Sequence, residues 1–215
     1  MDSIQLICIW ALPVLFAVTV HEAAHGWVAD RLGDPTARIL GRLTLNPIKH
    51  IDWLGTVLVP MVLVLTTGFV FGWAKPVPVN KYNLKHPRRD WALVSVAGPV
   101  SNLLMAILWA GVAKLGMMFL GVGLPALFVI YVGKAGIAIN LMLGILNLIP
   151  IPPLDGGHAV SSLLPSQAAK QFDKLEPYGF FILIFLLFSG ALTWLIESPY
   201  TLLSKWMYAI FGLGI

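Results

Sequence analysis

His21, Glu22 and His25 stand in the spacing His-Glu-x-x-His. On a helix, residues four apart share one face, so the two imidazoles can aim at a single point. Two such nitrogens can bind Zn²⁺ at about 2.0–2.1 Å. Glu22 projects roughly 100° around the axis from His21, because a helical turn takes about 3.6 residues. From there its carboxylate can reach a water at the metal. Zinc lowers the pKa of such a water towards neutrality, and Glu22 takes the proton as general base. The chemistry this predicts is metal-assisted hydrolysis of an amide. A five-residue pattern can arise by chance. Here, however, the three ionisable side chains close an apolar run over residues 4–20. Ionisable groups at membrane depth cost at least a few kcal/mol each and mark functional sites.

Two imidazoles need a third ligand, with water in the fourth position of an open catalytic zinc site. A soluble metzincin would carry Gly at position 28 and His at 31; this chain has Val28 and Arg31. Asp30 and Asp34 are near in sequence, but solvation or capping at a helix end accounts for both. Asp155 is the stronger candidate. It sits in a proline-broken, glycine-flanked turn, Pro150-Ile151-Pro152-Pro153-Leu154-Asp155-Gly156-Gly157, after a later apolar stretch. If that stretch runs from outside to inside, Asp155 reaches the membrane half that holds His21 and His25. His158 is expected to be a helical surface histidine, with an outer role at the metal as the alternative. His50 and His86 lie in basic loops and are expected to be solvated.

The elements that must position these groups read as membrane helices. Of 215 residues, 58% are hydrophobic and only 11% charged, against roughly 25% charged in soluble domains. Apolar stretches cover residues 4–20 (continuing as helix to 32), 53–71, 91–120, 125–149 and 178–196, with a weaker apolar tail over 202–215. A span takes about 20 residues. The first stretch begins with Asp2 and runs into the His-Glu motif where a cleavage site would stand, so we expect a retained helix rather than a leader. Residues 38–45 could form short extended structure. Trp53, Trp73, Trp91 and Trp194 are candidate interface anchors, and Lys134 is expected to snorkel. The lone Cys8 excludes an intrachain disulfide and a cysteine-based metal site. The net charge of +4 sits in short loops rather than on one face of a soluble domain, which argues against nucleic acid as a partner.

Charge also orders the topology. If residues 53–71 cross the membrane, Arg31, Arg38, Arg42 and Lys49 lie opposite Lys75, Lys81, Lys85, Arg88 and Arg89. If they dip in and return, these nine join Lys170 and Lys174 on one side, which would then be cytoplasmic under the positive-inside rule. Non-helical backbone at membrane depth is tolerated only where protein or water covers it, as beside an active site. We therefore expect re-entry.

These motifs, in this order, resemble the site-2 protease family of intramembrane zinc metalloproteases. The resemblance rests on His21-Glu22-Ala23-Ala24-His25, on Asn147-Leu148-Ile149-Pro150 leading to Leu154-Asp155-Gly156-Gly157, and on Gly98-Pro99-Val100-Ser101-Asn102. It covers about residues 5–165. Leu45-Asn46-Pro47 and Pro76-Val77-Pro78-Val79-Asn80 look like a compact prokaryotic branch without an inserted PDZ-like domain. The resemblance implies zinc on His21, His25 and Asp155, with Glu22 as base. It also implies that Asn147 polarises the scissile carbonyl; capping of a helix end is the plain alternative. Asn102 would line the substrate path or hydrogen-bond between helices, with Gly98 as a small packing contact. A β-type re-entrant hairpin over residues 36–72 would pair with an unwound substrate.

The expectation is thus an all-α polytopic membrane protein, a single intramembrane metalloprotease domain over 1–215. It would have about four to six membrane segments and a re-entrant β-type hairpin or loop after the zinc-binding helix. Its cofactor would be Zn²⁺, its partners a transmembrane protein substrate and the lipid bilayer. Its place would be the prokaryotic cytoplasmic membrane, with the active site towards the cytoplasm and a role in regulated intramembrane proteolysis. The competing readings are a zinc transporter or sensor, and a scaffold that binds membrane helices without cutting them. Transporters string ionisable residues along a path, whereas here they converge, with Glu22 left over as a base.

Overall fold

The computed structural model describes residues 3–59, 62 and 74–214. Among them the chain is helical, with no strand. The long elements are α1 (Ser3–Leu32), α3 (Pro87–Met118) and α4 (Leu124–Asn147). All three are long and apolar enough to cross a membrane, and the protein is a multi-pass membrane protein. Shorter helices are α2 (Thr36–Ile39), α5 (Asp155–Leu163), α6 (Ser166–Asp173), α7 (Gly179–Phe188) and α8 (Ala191–Phe211).

Small residues bring the three long helices together. Ala106, Ala110 and Ala113 of α3 are fully buried. A Cβ added to Gly133 of α4 would lie 2.5 Å from the Ala113 nitrogen, and one on Gly136 would collide with the Trp109 ring. In lipid, helices associate through such close packing, since apolar side chains have nothing to gain by leaving hydrocarbon. α1 lies against both partners, and α5 folds back onto α3. The outward faces stay apolar: Leu104 and Leu108 of α3 and Phe181, Phe185 and Phe188 of α7 are exposed.

α1 ends where Gly33 takes φ +114°, a left-handed region that favours glycine. A Cβ there would also press on the Asn83 carbonyl at 3.1 Å. α3 begins earlier than its apolar run. Pro87 stands at the first helical position, and the His86 N–H donates to Asp90 Oδ2 at 2.8 Å.

Several expectations change. Residues 38–45 are not extended: α2 and hydrogen-bonded turns occupy them. The stretch 178–196 is not one element. Gly190, at φ +77°, breaks it, and the pair of helices formed by α6–α7 and α8 bends by 78°. The tail read as separate is the second half of α8. The re-entrant segment falls largely outside the described residues. The described part of that stretch, 53–71, includes a π-helical turn at Trp53–Leu58, preceded by a short 3-10 turn at Pro47–His50.

Candidate metal and hydrolytic site

His21 and His25 lie late in α1, one turn apart on one face. Their Nε2 atoms are 3.1 Å from each other. Asp155 is the first residue of α5, and its carboxylate oxygens stand 3.1 Å from His21 Nε2 and 3.4 Å from His25 Nε2. The turn before α5 makes this placement. A Cβ on Gly156 would collide with the Leu148 and Ile149 carbonyls, so only glycine lets the chain fold so tightly after α4. These three residues form a group able to hold a metal ion.

The donor chemistry fits a cation. His25 Nδ1 is 2.7 Å from the Val94 carbonyl, which can only accept, so Nδ1 carries the proton. His21 Nδ1 likewise meets Asn102 Oδ1 at 2.6 Å. In the neutral rings, both Nε2 atoms therefore face each other and Asp155 with lone pairs. Asp155 Oδ2 is buried and, among the described residues, has no hydrogen-bond partner, with His21 Nε2 3.1 Å away. Converging acceptors repel unless a cation sits among them. A tetrahedron with arms of about 2.05 Å has edges of about 3.3 Å; the three separations fall on either side of that length.

Gly98 of α3 leaves the space. A Cβ there would lie 2.5 Å from His25 Nε2 and 2.6 Å from His21 Nε2. The residue does more than let helices touch, as it leaves room for the His21 and His25 rings.

Glu22 is engaged by residues 75–80, a strap without regular secondary structure. The Val77 N–H donates to Glu22 Oε2 at 2.7 Å. Pro76 and Pro78 flank Val77 and have no N–H, so this donor stands alone between them. The strap is pinned on both sides. Arg42 donates to the carbonyls of Lys75 and Pro76 at 2.9 and 3.2 Å. Asp34 accepts from the Asn80 N–H at 2.6 Å, from Asn83 Nδ2 at 2.9 Å and from the Thr36 hydroxyl. Asp34 is fully buried, so it is neither solvated nor a simple cap. Burial acts to raise its pKa, but the bonds from Thr36, Asn83 and the Asn80 N–H outweigh burial and hold the carboxyl below its ordinary range.

The other sequence candidates separate. Asn147, at the end of α4, donates to the Leu143 carbonyl of its own helix at 3.0 Å. His158 packs edge-on against Trp91 with ring centroids 5.7 Å apart. His50 is buried, not solvated: its Nε2 donates to the Thr44 carbonyl at 2.9 Å, and its own carbonyl accepts from Lys75 N–H. His86 is exposed, as expected. Asn102 bonds between helices, the second of its two expected roles, and the group it holds is the His21 imidazole. The Val77 contact to Glu22 was missed; the isolated N–H between two prolines was the available signal.

Residues 123–190 match the model of peptidase family M50. The chain is 42% identical over 182 residues to "Putative zinc metalloprotease YwhC" of Bacillus subtilis, covering 81% of this chain and 78% of that protein. It is 30% identical to "Putative zinc metalloprotease Rip2" of Mycolicibacterium smegmatis, covering 86% and 69%. It is 31% identical to the protein of that name in Mycobacterium tuberculosis, covering 85% and 71%. No solved structure matches the chain.

Proposed function

The chain belongs to peptidase family M50, the site-2 protease family, and from that membership we propose that it is a zinc endopeptidase acting on membrane-embedded segments of other proteins. One observation carries the reading: two imidazoles and a carboxylate aim lone pairs at one point, with a spare glutamate on the same helix.

His21, His25 and Asp155 would hold the metal. Zinc, when bound, supplies Lewis acidity that lowers the pKa of a water and polarises a scissile carbonyl. Glu22 takes the proton of the attacking water and passes it to the leaving amine. The Val77 N–H fixes Oε2, which leaves Oε1 for that transfer. Asn147 is proposed as a donor to the carbonyl oxygen, since Leu143 uses only one of its two amide hydrogens.

The active site faces the cytoplasm in this reading, supported by the basic residues that share the loops around it. Regulated intramembrane proteolysis follows as the physiological role.

The test is cleavage of a single-span substrate in liposomes. Cleavage should cease on chelation and return with zinc. Cleavage that persists without metal, or zinc-loaded enzyme inert towards every single-span substrate but active on soluble peptides, would overturn the reading.

A further inference from the structure

Below His21 lies a buried chain of amides that links all three long helices. Asn102 of α3 and Asn140 of α4 are both fully buried. Asn140 Nδ2 donates to the Gly136 carbonyl at 2.9 Å. Asn140 Oδ1 accepts from Asn102 Nδ2, also at 2.9 Å. Asn102 Nδ2 donates a second time, to the Ala17 carbonyl of α1 at 3.1 Å. Asn102 Oδ1 then meets His21 Nδ1 at 2.6 Å.

The direction of this chain is not free. A side-chain amide can be turned end for end, and each orientation exchanges donor for acceptor. Here the ends are backbone carbonyls, which only accept. Gly136 O demands the Asn140 NH₂, and this turns Asn140 Oδ1 towards Asn102. Asn140 Oδ1 and Ala17 O together demand the Asn102 NH₂, which turns its oxygen towards His21. An amide oxygen cannot donate, so His21 Nδ1 must carry the proton, and in the neutral ring Nε2 then presents its lone pair. Reversing any member would set two acceptors or two donors against each other in a buried site, a cost of about 1–3 kcal/mol per orphaned group in general.

We propose that Asn140 is a positioning residue for the metal site: through Asn102 it locks His21 in the Nδ1–H tautomer, with Nε2 ready to bind zinc. The inference rests on the proposed zinc site. Asn140 itself donates to its own helix and accepts from Asn102, so its effect on zinc travels through an amide on another helix. The two backbone carbonyls make the setting insensitive to solvent. Such outer partners of a ligand histidine fix its tautomer and orientation, and their loss generally weakens metal binding about 10–100-fold.

The test is zinc affinity of the full chain in detergent, by competition with a chromophoric chelator. Asn140→Leu should weaken zinc binding about 10–100-fold. In an Asn102→Leu background, the amide that joins Asn140 to His21 is already gone. There Asn140→Leu should change affinity less than about threefold, because the two effects are not independent. Equal losses in both backgrounds would show that Asn140 acts through packing, and no loss in either would also overturn the proposal. Wild type that binds no zinc would instead sink the metal site itself. A second measurement needs no substitution. In metal-stripped wild type at alkaline pH, ¹⁵N-labelled His21 should show the Nδ1–H tautomer; the Nε2–H tautomer would refute the lock.

Discussion

Gly98→Ala adds one methyl group against the ring nitrogens of both His21 and His25. Its carbon would lie 2.5 Å from His25 Nε2 and 2.6 Å from His21 Nε2. Ordinary contact requires about 3.5 Å, so the ring nitrogens must retreat by about 0.9–1.0 Å. Metal sites tolerate ligand displacements of only about 0.2 Å. Zinc affinity should therefore fall by at least about 100-fold, the upper end of what loss of an outer partner costs. The stability change discriminates further. Helix propensity alone favours alanine over glycine by about 1 kcal/mol. Overpacking costs about 1–3 kcal/mol, so the metal-free variant should gain nothing and can lose up to about 2 kcal/mol. The assay is chelator competition on detergent-solubilised protein, with thermal melting followed by circular dichroism. A variant that binds zinc with wild-type affinity, or that is more stable by the full propensity gain, would refute the geometry on which the site is built.

Val77→Pro removes the N–H that holds Glu22 Oε2. A hydrogen bond to a charged group is worth about 1.5–3 kcal/mol, so kcat/KM for a single-span substrate should fall roughly 10–100-fold with zinc content unchanged. Asn147→Ala should lower kcat by about 10²–10³-fold, also with zinc retained, if its amide stabilises the oxyanion; an unchanged kcat would leave it as a helix-end residue bonded to Leu143. Asp34 has a folded pKa below its unfolded value, so its stabilisation is present above the unfolded pKa, about 3.9, and is lost as pH falls through the folded one. Melting temperature should drop on acidification below about pH 4, and Asp34→Asn should lower the neutral-pH value and flatten that acid slope; parallel slopes in both proteins would contradict the network.

The long helices were legible because each carries an unbroken apolar run, and an apolar run of that length has few alternatives. Their edges were less so. α3 begins at Pro87 rather than 91 because Pro87 and Asp90 organise a polar first turn that hydropathy does not register. His21, His25 and Asp155 were readable from spacing and from a broken helix end. What surrounds them was not, because the contacts join distant parts of the chain. Nothing local ties Asn102 to His21 or Val77 to Glu22, which are 81 and 55 residues apart. Gly98 read as a packing residue, since a missing side chain says nothing about what its absence accommodates. Asp34 and His50 were misjudged for one reason: polar neighbours in sequence suggested solvent, whereas both fold under the strap and satisfy its backbone.

The most direct measurement compares wild type with Glu22→Gln for both zinc content and cleavage of a single-span substrate in liposomes. The account predicts equal zinc in the two proteins, because Glu22 is not a ligand. It predicts cleavage by wild type and loss of cleavage in the variant, because glutamine cannot take the proton from water. Cleavage by Glu22→Gln at the wild-type rate would contradict it, as would a wild type isolated and reloaded under non-chelating conditions that holds no zinc.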